Sequence, residues 1–85
     1  MRRLTIKNGK EFAVPESGIP EAMSRLAAFE DIYEDLANSI AAIQAELGKL
    51  KAAGKEKTVR YKELFGQKLV NNRIMDLFER HGISF

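Results

Sequence analysis

The sequence predicts a mostly α-helical fold, in which a small N-terminal β-hairpin precedes a long antiparallel helix hairpin that assembles as a homo-oligomer. Three observations predict it. Apolar and polar residues alternate around Asn8-Gly9, a heptad repeat of apolar residues runs through the middle of the chain, and a second apolar segment follows Gly54. Eighty-five residues are enough for a single small domain. We expect one domain, 1–85, made of a β-hairpin (1–14), a long heptad helix (19–53) and a second helix (58–81).

The alternating residues on both sides of Asn8-Gly9 predict the β-hairpin, but two strand registers compete. A two-residue loop of Asn8-Gly9 has favourable turn chemistry. It would, however, place Ile6 opposite Glu11, so apolar and charged side chains would share a face. The register matters because a slip of one residue moves every side chain to the other face.

A three-residue loop, residues 8–10, gives the register that we favour. It pairs Ile6 with Phe12 and Leu4 with Val14, so that all four side chains lie on one apolar face. An isolated hairpin is marginally stable in water, so this face should be covered by a helix or by a neighbouring chain.

The long helix is predicted to start near Pro20, because proline favours the first helical position and Glu21 suits the positive end of the helix dipole. From Leu26 to Leu50 the apolar residues recur in steps of three and four, which is a strict heptad. The residues predicted to pack are Leu26, Phe29, Tyr33, Leu36, Ile40, Ile43 and Leu47.

The second helix is predicted between Thr58, a suitable N-cap, and Gly82, a suitable stop. Its apolar residues are not confined to one stripe but cover most of the helix circumference. A helix of this kind is buried on more than one side, which one partner helix does not achieve. We therefore expect self-association, and the predicted packing residues on this helix are Phe65, Leu69, Ile74 and Phe78.

Composition excludes several kinds of site. The chain has no cysteine and one histidine, His81, so we expect no disulfide, no metal centre and no cofactor. No arrangement of nucleophile and base predicts catalytic residues, and we do not expect an enzyme. No apolar run of about 18 residues is present, so neither a membrane span nor a signal peptide is expected.

Charge is distributed unevenly along the chain. Residues 11–48 carry eight acidic residues and one basic residue, whereas residues 49–85 carry nine basic and four acidic residues. Basic residues with interleaved aromatic residues suit phosphates and stacked bases. The alternative is that the aromatic side chains are core and the lysines are solvated. The predicted anion- or nucleotide-binding residues are Lys57, Thr58, Arg60, Tyr61, Lys68, Asn72 and Arg73.

Two segments, Arg25–Asp31 (RLAAFED) and Gly54–Leu64 (GKEKTVRYKEL), resemble small uncharacterised proteins of phages and prophages of Gram-positive gut bacteria. The resemblance implies a phage origin and the host bacterial cytoplasm as the place of action. It carries no catalytic residue with it. Small phage proteins of this type include many that counter host defence.

The function that we expect is therefore a non-enzymatic, phage-encoded binding protein that counters host antiviral defence. It would sequester an anionic nucleotide second messenger or block a host defence protein. One alternative is a nucleic-acid-binding phage regulator that uses the same basic residues. Another is a structural or scaffold oligomer without a ligand. The expected partners are thus the chain itself and one of these ligands, with no membrane.

Overall fold

The computed structural model describes residues 1–84 and is mostly α-helical, with a small antiparallel β-hairpin at its N-terminus. This part of the predicted fold is confirmed. The chain divides into two compact units, one of residues 1–33 and one from residue 34 onward, and helix α1 contributes to both. The predicted domain, 1–85, ends at Phe85, outside the described residues. The elements are β1 (Ile6–Asn8), β2 (Glu11–Ala13), a 3-10 turn (Glu16–Gly18), α1 (Ile19–Ala52) and α2 (Val59–Arg80).

The β-hairpin of the first unit has a register that differs from both predicted ones. Asn8 pairs with Glu11, so the loop consists of two residues, Gly9 and Lys10. Gly9 has a φ of 65°, which makes it a suitable first central residue of a two-residue hairpin turn. With Gly9 as its first residue, the loop starts one residue later than in the predicted Asn8-Gly9 loop. The three-residue loop that we favoured is wrong as well.

The observed register removes the predicted apolar face of the hairpin. Ile6 lies opposite Ala13, and Phe12 lies opposite Lys7. Because successive residues of a strand point to opposite faces, Ile6 and Phe12 are on different faces. All residues of both strands are exposed. Neither face of the hairpin is therefore apolar enough to need a cover.

Helix α1 begins at Ile19, with Pro20 and Glu21 in its first turn as predicted. Arg25 fixes the N-terminal segment of the unit to this helix. Its guanidinium donates to the carbonyl of Arg2 at 2.7 Å and pairs with the carboxylate of Glu21 at 3.0 Å. Leu26 and Phe29, which belong to the heptad, are exposed in this unit.

In the second unit both helices end in the same way. The amide of Lys55 donates to the carbonyl of Leu50, and the amide of Gly54 to that of Lys51, with a φ of 70° at Gly54. These bonds form a Schellman motif, which places glycine in the left-handed region. The same pair of bonds ends α2 at Gly82, whose φ is 75°. The two glycine stops predicted from the sequence are thus explained.

The core of the second unit is small. Leu36 and Leu47 of α1 and Leu64 of α2 are its buried residues, and Leu64 is the most covered, at 4% exposure. On α2 the covered positions follow a heptad with steps of three and four. We call this set the inner stripe, because in a helix hairpin the covered stripes of the two helices face each other. The inner stripe is Tyr61, Leu64, Lys68, Asn71, Met75 and Phe78.

The predicted packing residues therefore divide into two groups. Leu36 and Leu47 are buried, and Tyr33, Ile40, Ile43 and Phe78 are half-buried. Five others are exposed in the single chain, and their packing in an oligomer stays a prediction. These five are Leu26, Phe29, Phe65, Leu69 and Ile74. Neither helix in residues 1–84 has the apolar length that crossing a membrane requires.

Candidate functional site

Thr58, one of the predicted ligand-binding residues, has a structural role at the start of α2. Its hydroxyl accepts a hydrogen bond from the amide of Tyr61 at 3.3 Å and donates one to the carbonyl of Lys55 at 2.7 Å. The residue has an extended backbone, as an N-cap requires. Since the single O–H donor is in use, Thr58 orients the first turn of α2 and has no donor left for an anion.

Three side chains of α2 form a stack on its surface. The rings of Tyr61 and Phe65 lie 6.5 Å apart between centroids, with 20° between their planes. The ammonium of Lys68 lies over the Phe65 ring, 5.9 Å from its centroid. Steps of four and three residues along a helix place side chains above one another, which explains the stack.

Asn72 continues the same line one turn later. At 3.6 residues per turn, Tyr61, Phe65, Lys68 and Asn72 fall within about 60° of the helix circumference. We call these four residues the aromatic-lysine strip. Phe65 and Asn72 are exposed, whereas Tyr61 and Lys68 are half-buried because they also belong to the inner stripe. The strip therefore borders the covered face of α2.

The other predicted cationic residues lie outside this strip. Arg60 and Arg73 are exposed, and the helical geometry turns them about 110° away from its centre, to opposite sides. Lys57 is also exposed and precedes α2. The structure thus brings together three of the seven predicted ligand-binding residues, Tyr61, Lys68 and Asn72.

Phe65 is the residue that the ligand prediction missed. The sequence predicts Phe65 as a packing residue, but it is 43% exposed and contacts both other members of the stack. Its spacing from Tyr61 and Lys68, four and three residues, is the signal that could have found it. A partly exposed aromatic residue at helical spacing from a ring and a cation indicates a surface suited to planar anions.

A shallow depression on the last turns of α2 is a poorer candidate. It is lined by Arg73, Asp76, Glu79 and Arg80. Two acidic and two basic side chains give it no net attraction for an anion. The acidic residues on α1, from Glu30 to Asp35, are exposed. Within residues 1–84, no three acidic or histidine side chains come together in a way that could hold a metal ion.

The chemistry of the strip is that of binding. A phenol, a phenyl ring, an ammonium and a carboxamide can stack on a planar ring, attract a phosphate and hydrogen-bond to a base edge. None of the four is a nucleophile activated by a neighbouring base. Comparisons of the chain with protein-family models, with curated proteins and with solved structures found no match.

Proposed function

We propose that this chain is a phage-encoded, non-enzymatic binding protein that acts in the host bacterial cytoplasm and counters antiviral defence. It self-associates and sequesters an anionic nucleotide signal on the aromatic-lysine strip. The stack of Tyr61, Phe65 and Lys68 is the observation that supports the ligand class. The phage origin and the role in defence rest on the resemblance of residues 25–31 and 54–64 to phage proteins.

Each group of the strip has a role in this proposal. The exposed face of Phe65 stacks on the base, and stacking of this kind contributes about 1–3 kcal/mol per base. The Lys68 ammonium attracts a phosphate. The carboxamide of Asn72 offers both a donor and an acceptor to the edge of the base. The excess of basic residues beyond position 48 attracts the anion as it approaches.

The open strip of one chain is too weak to sequester a signal on its own. A stacked base and one charged hydrogen bond together give about 3–6 kcal/mol, which corresponds to a millimolar to tens-of-micromolar Kd. Binding sites that hold small molecules tightly enclose most of the ligand surface. Self-association is therefore part of the proposal, since a second chain can cover the ligand face that Phe65 leaves open.

Isothermal titration calorimetry tests the ligand class. The panel holds a mononucleotide, a cyclic dinucleotide, a linear dinucleotide and single-stranded DNA of increasing length. Phe65→Leu keeps an apolar side chain but removes the ring, and it should weaken nucleotide binding by about 5- to 150-fold if the stack contributes about 1–3 kcal/mol. Lys10→Met is the matched charge control for Lys68→Met, because Lys10 is exposed and lies in the hairpin loop, outside α2.

The outcomes separate the candidate functions. Affinity that rises with DNA length and falls steeply with salt would favour the nucleic-acid-binding regulator instead. No binding of any member of the panel at millimolar concentration would contradict the nucleotide proposal. A host defence protein that binds the chain in the absence of nucleotide would favour the blocking mechanism. A chain that binds none of these would favour the scaffold alternative.

Phage challenge tests the biological role. Cells that carry a nucleotide-signalled defence should regain sensitivity to phage when they express the wild-type chain. The Phe65→Leu and Lys68→Met variants should fail to restore plaques, whereas Lys10→Met should restore them. Equal activity of all four chains would separate any anti-defence role from the strip.

A further inference from the structure

We infer that α2 pairs with α2 of a second copy of this chain, in antiparallel orientation, through a face that we call the outer stripe. The outer stripe is Val59, Glu63, Gly66, Val70, Arg73 and Leu77. All six residues are exposed, including Val59 at 71%, Val70 at 59% and Leu77 at 49%. The inference goes beyond the proposed function, because this contact lies about 150° round α2 from the aromatic-lysine strip and leaves the ligand face open.

The spacing of the outer stripe is the first argument. Its residues follow one another in steps of four and three, which is the pattern of a helix that packs along another helix. The stripe is about 27 Å long, and its centre lies about 150° round the helix from the inner stripe. A partner on the outer stripe therefore does not compete with α1 for α2.

Charge complementarity identifies the partner and its direction. Antiparallel pairing with a two-fold axis beside residue 68 places Glu63 opposite Arg73 of the second copy, twice by symmetry. Neither residue has an ion pair within residues 1–84, where the salt bridge of the chain is Arg25–Glu21. Parallel pairing would instead place Glu63 opposite Glu63 and Arg73 opposite Arg73, which repel each other.

The remaining layers fit the same register. Val59 lies opposite Leu77 of the second copy, so an apolar pair lies at each end of the stripe. Gly66 lies opposite Val70. Glycine inside a helix costs about 1 kcal/mol relative to alanine. A Cβ at Gly66 would meet nothing within 4 Å in this chain, so the space that it leaves is open to a neighbour.

The residues that flank the stripe agree as well. In an antiparallel helix pair, corresponding flanking positions of the two helices lie side by side. This register brings Lys62 beside Asp76 of the second copy, and Leu69 beside Leu69 near the two-fold axis. All three residues are exposed in the single chain. The flanks thus add a second complementary charge pair and an apolar contact at the centre.

Charge reversal tests the dimer directly. Sedimentation of the full-length wild-type chain should show a dimer, and Glu63→Arg or Arg73→Glu alone should weaken it by about 10-fold or more, because like charges then face each other. The double variant should restore dimerisation, since the two charges are exchanged but remain opposite. Circular dichroism should show unchanged helix content in all three variants.

Cysteine substitution tests the direction, because the wild-type chain has no cysteine. Leu69→Cys should be cross-linked readily by a short bis-maleimide, because the two copies of residue 69 lie side by side at the centre of the pair. Val59→Cys should not, because the two copies of residue 59 would be about 27 Å apart. A monomeric wild-type chain at about 100 µM, single reversals without effect, or cross-linking through Val59→Cys alone would overturn the inference.

Nucleotide titration of the Glu63→Arg variant distinguishes this inference from the proposed function. The outer stripe and the aromatic-lysine strip lie about 150° apart on α2, so the strip stays intact in a monomer. Residual nucleotide binding by the monomeric variant supports the strip and the dimer separately. A wild-type dimer that binds no nucleotide would contradict the ligand proposal and leave the dimer standing.

Discussion

The inner and outer stripes of α2 are similar in composition but differ in exposure. The inner stripe combines four apolar residues with Lys68 and Asn71 and is covered, whereas the outer stripe combines three apolar residues with Glu63, Gly66 and Arg73 and is exposed. Because the two stripes differ by one apolar residue, hydrophobicity favours the covered face only slightly. The Schellman motif at Gly54 and the cap at Thr58 act in addition, because they set the rotation at which α2 begins.

The positions of the two polar residues of the inner stripe explain why they are tolerated on a covered face. Lys68 is half-buried, and its ammonium reaches the ring of Phe65 beside the covered face. A lysine can cover an apolar surface with its stem while its charge stays near water. Asn71 is half-buried as well, and no side-chain polar atom in residues 1–84 is buried without a hydrogen bond.

Truncating one leucine on each stripe should give the largest difference in the free energy of unfolding between the two stripes. Leu64→Ala should lower the free energy of unfolding by about 2–5 kcal/mol, because Leu64 is the most covered side chain of the core. Leu77→Ala should change it by less than about 0.5 kcal/mol when the chain is dilute and monomeric. Urea denaturation followed by circular dichroism measures both. Equal losses would show that the two stripes are covered to the same degree.

Loss of the N-cap of α2, Thr58, should have the next largest effect on stability. Thr58→Ala should destabilise the chain by about 1 kcal/mol, because the amide of Tyr61 loses its acceptor. Thr58→Ser keeps the hydroxyl and should stay close to the wild type. The same denaturation experiment measures this pair. A large loss of nucleotide affinity in Thr58→Ala, without loss of stability, would instead give Thr58 the ligand role first predicted for it.

Two neighbouring asparagines allow a matched test of the inner stripe. Asn71→Leu should stabilise the chain by about 1 kcal/mol, since a polar residue in a helix-packing stripe costs stability. Asn72→Leu should change stability by less than about 0.5 kcal/mol, because Asn72 is exposed. Thermal denaturation of both variants measures the difference. Destabilisation by Asn71→Leu would mean that its carboxamide makes a contact that the core requires.

The sequence was sufficient to predict the helices but not the face of α2 that is covered. The helix ends follow from local chemistry, since Thr58, Gly54 and Gly82 each act on neighbouring backbone groups. The packing face of α2 could not be read in the same way. Its apolar residues fit two heptads of nearly equal hydrophobicity, and the one that includes Val70 and Leu77 is exposed.

The register of the hairpin and the grouping of the predicted ligand residues both depend on geometry that the sequence does not give. A glycine next to an asparagine favours a turn, but the choice between loops that start at residue 8 or 9 depends on backbone angles that the sequence leaves open. The seven predicted ligand residues were grouped by position in the sequence. The helix then separates Arg60 and Arg73 from Tyr61 and Lys68, because residues adjacent in sequence point about 100° apart.

Lys68 should show the smallest effect on stability and a clear effect on binding. Lys68→Met keeps an unbranched stem over the covered face and loses a cation–π contact that is worth about 0.5–1 kcal/mol at an exposed site. The apolar sulfur end offsets part of that loss, so stability should change by less than about 0.5 kcal/mol. Nucleotide affinity should fall, because the charge is the group of the strip that attracts phosphate. Lys10→Met, in the hairpin loop, should alter neither quantity. A loss of more than about 1 kcal/mol of stability would instead make Lys68 a residue of the inner stripe alone, since such a loss exceeds what this exposed contact contributes.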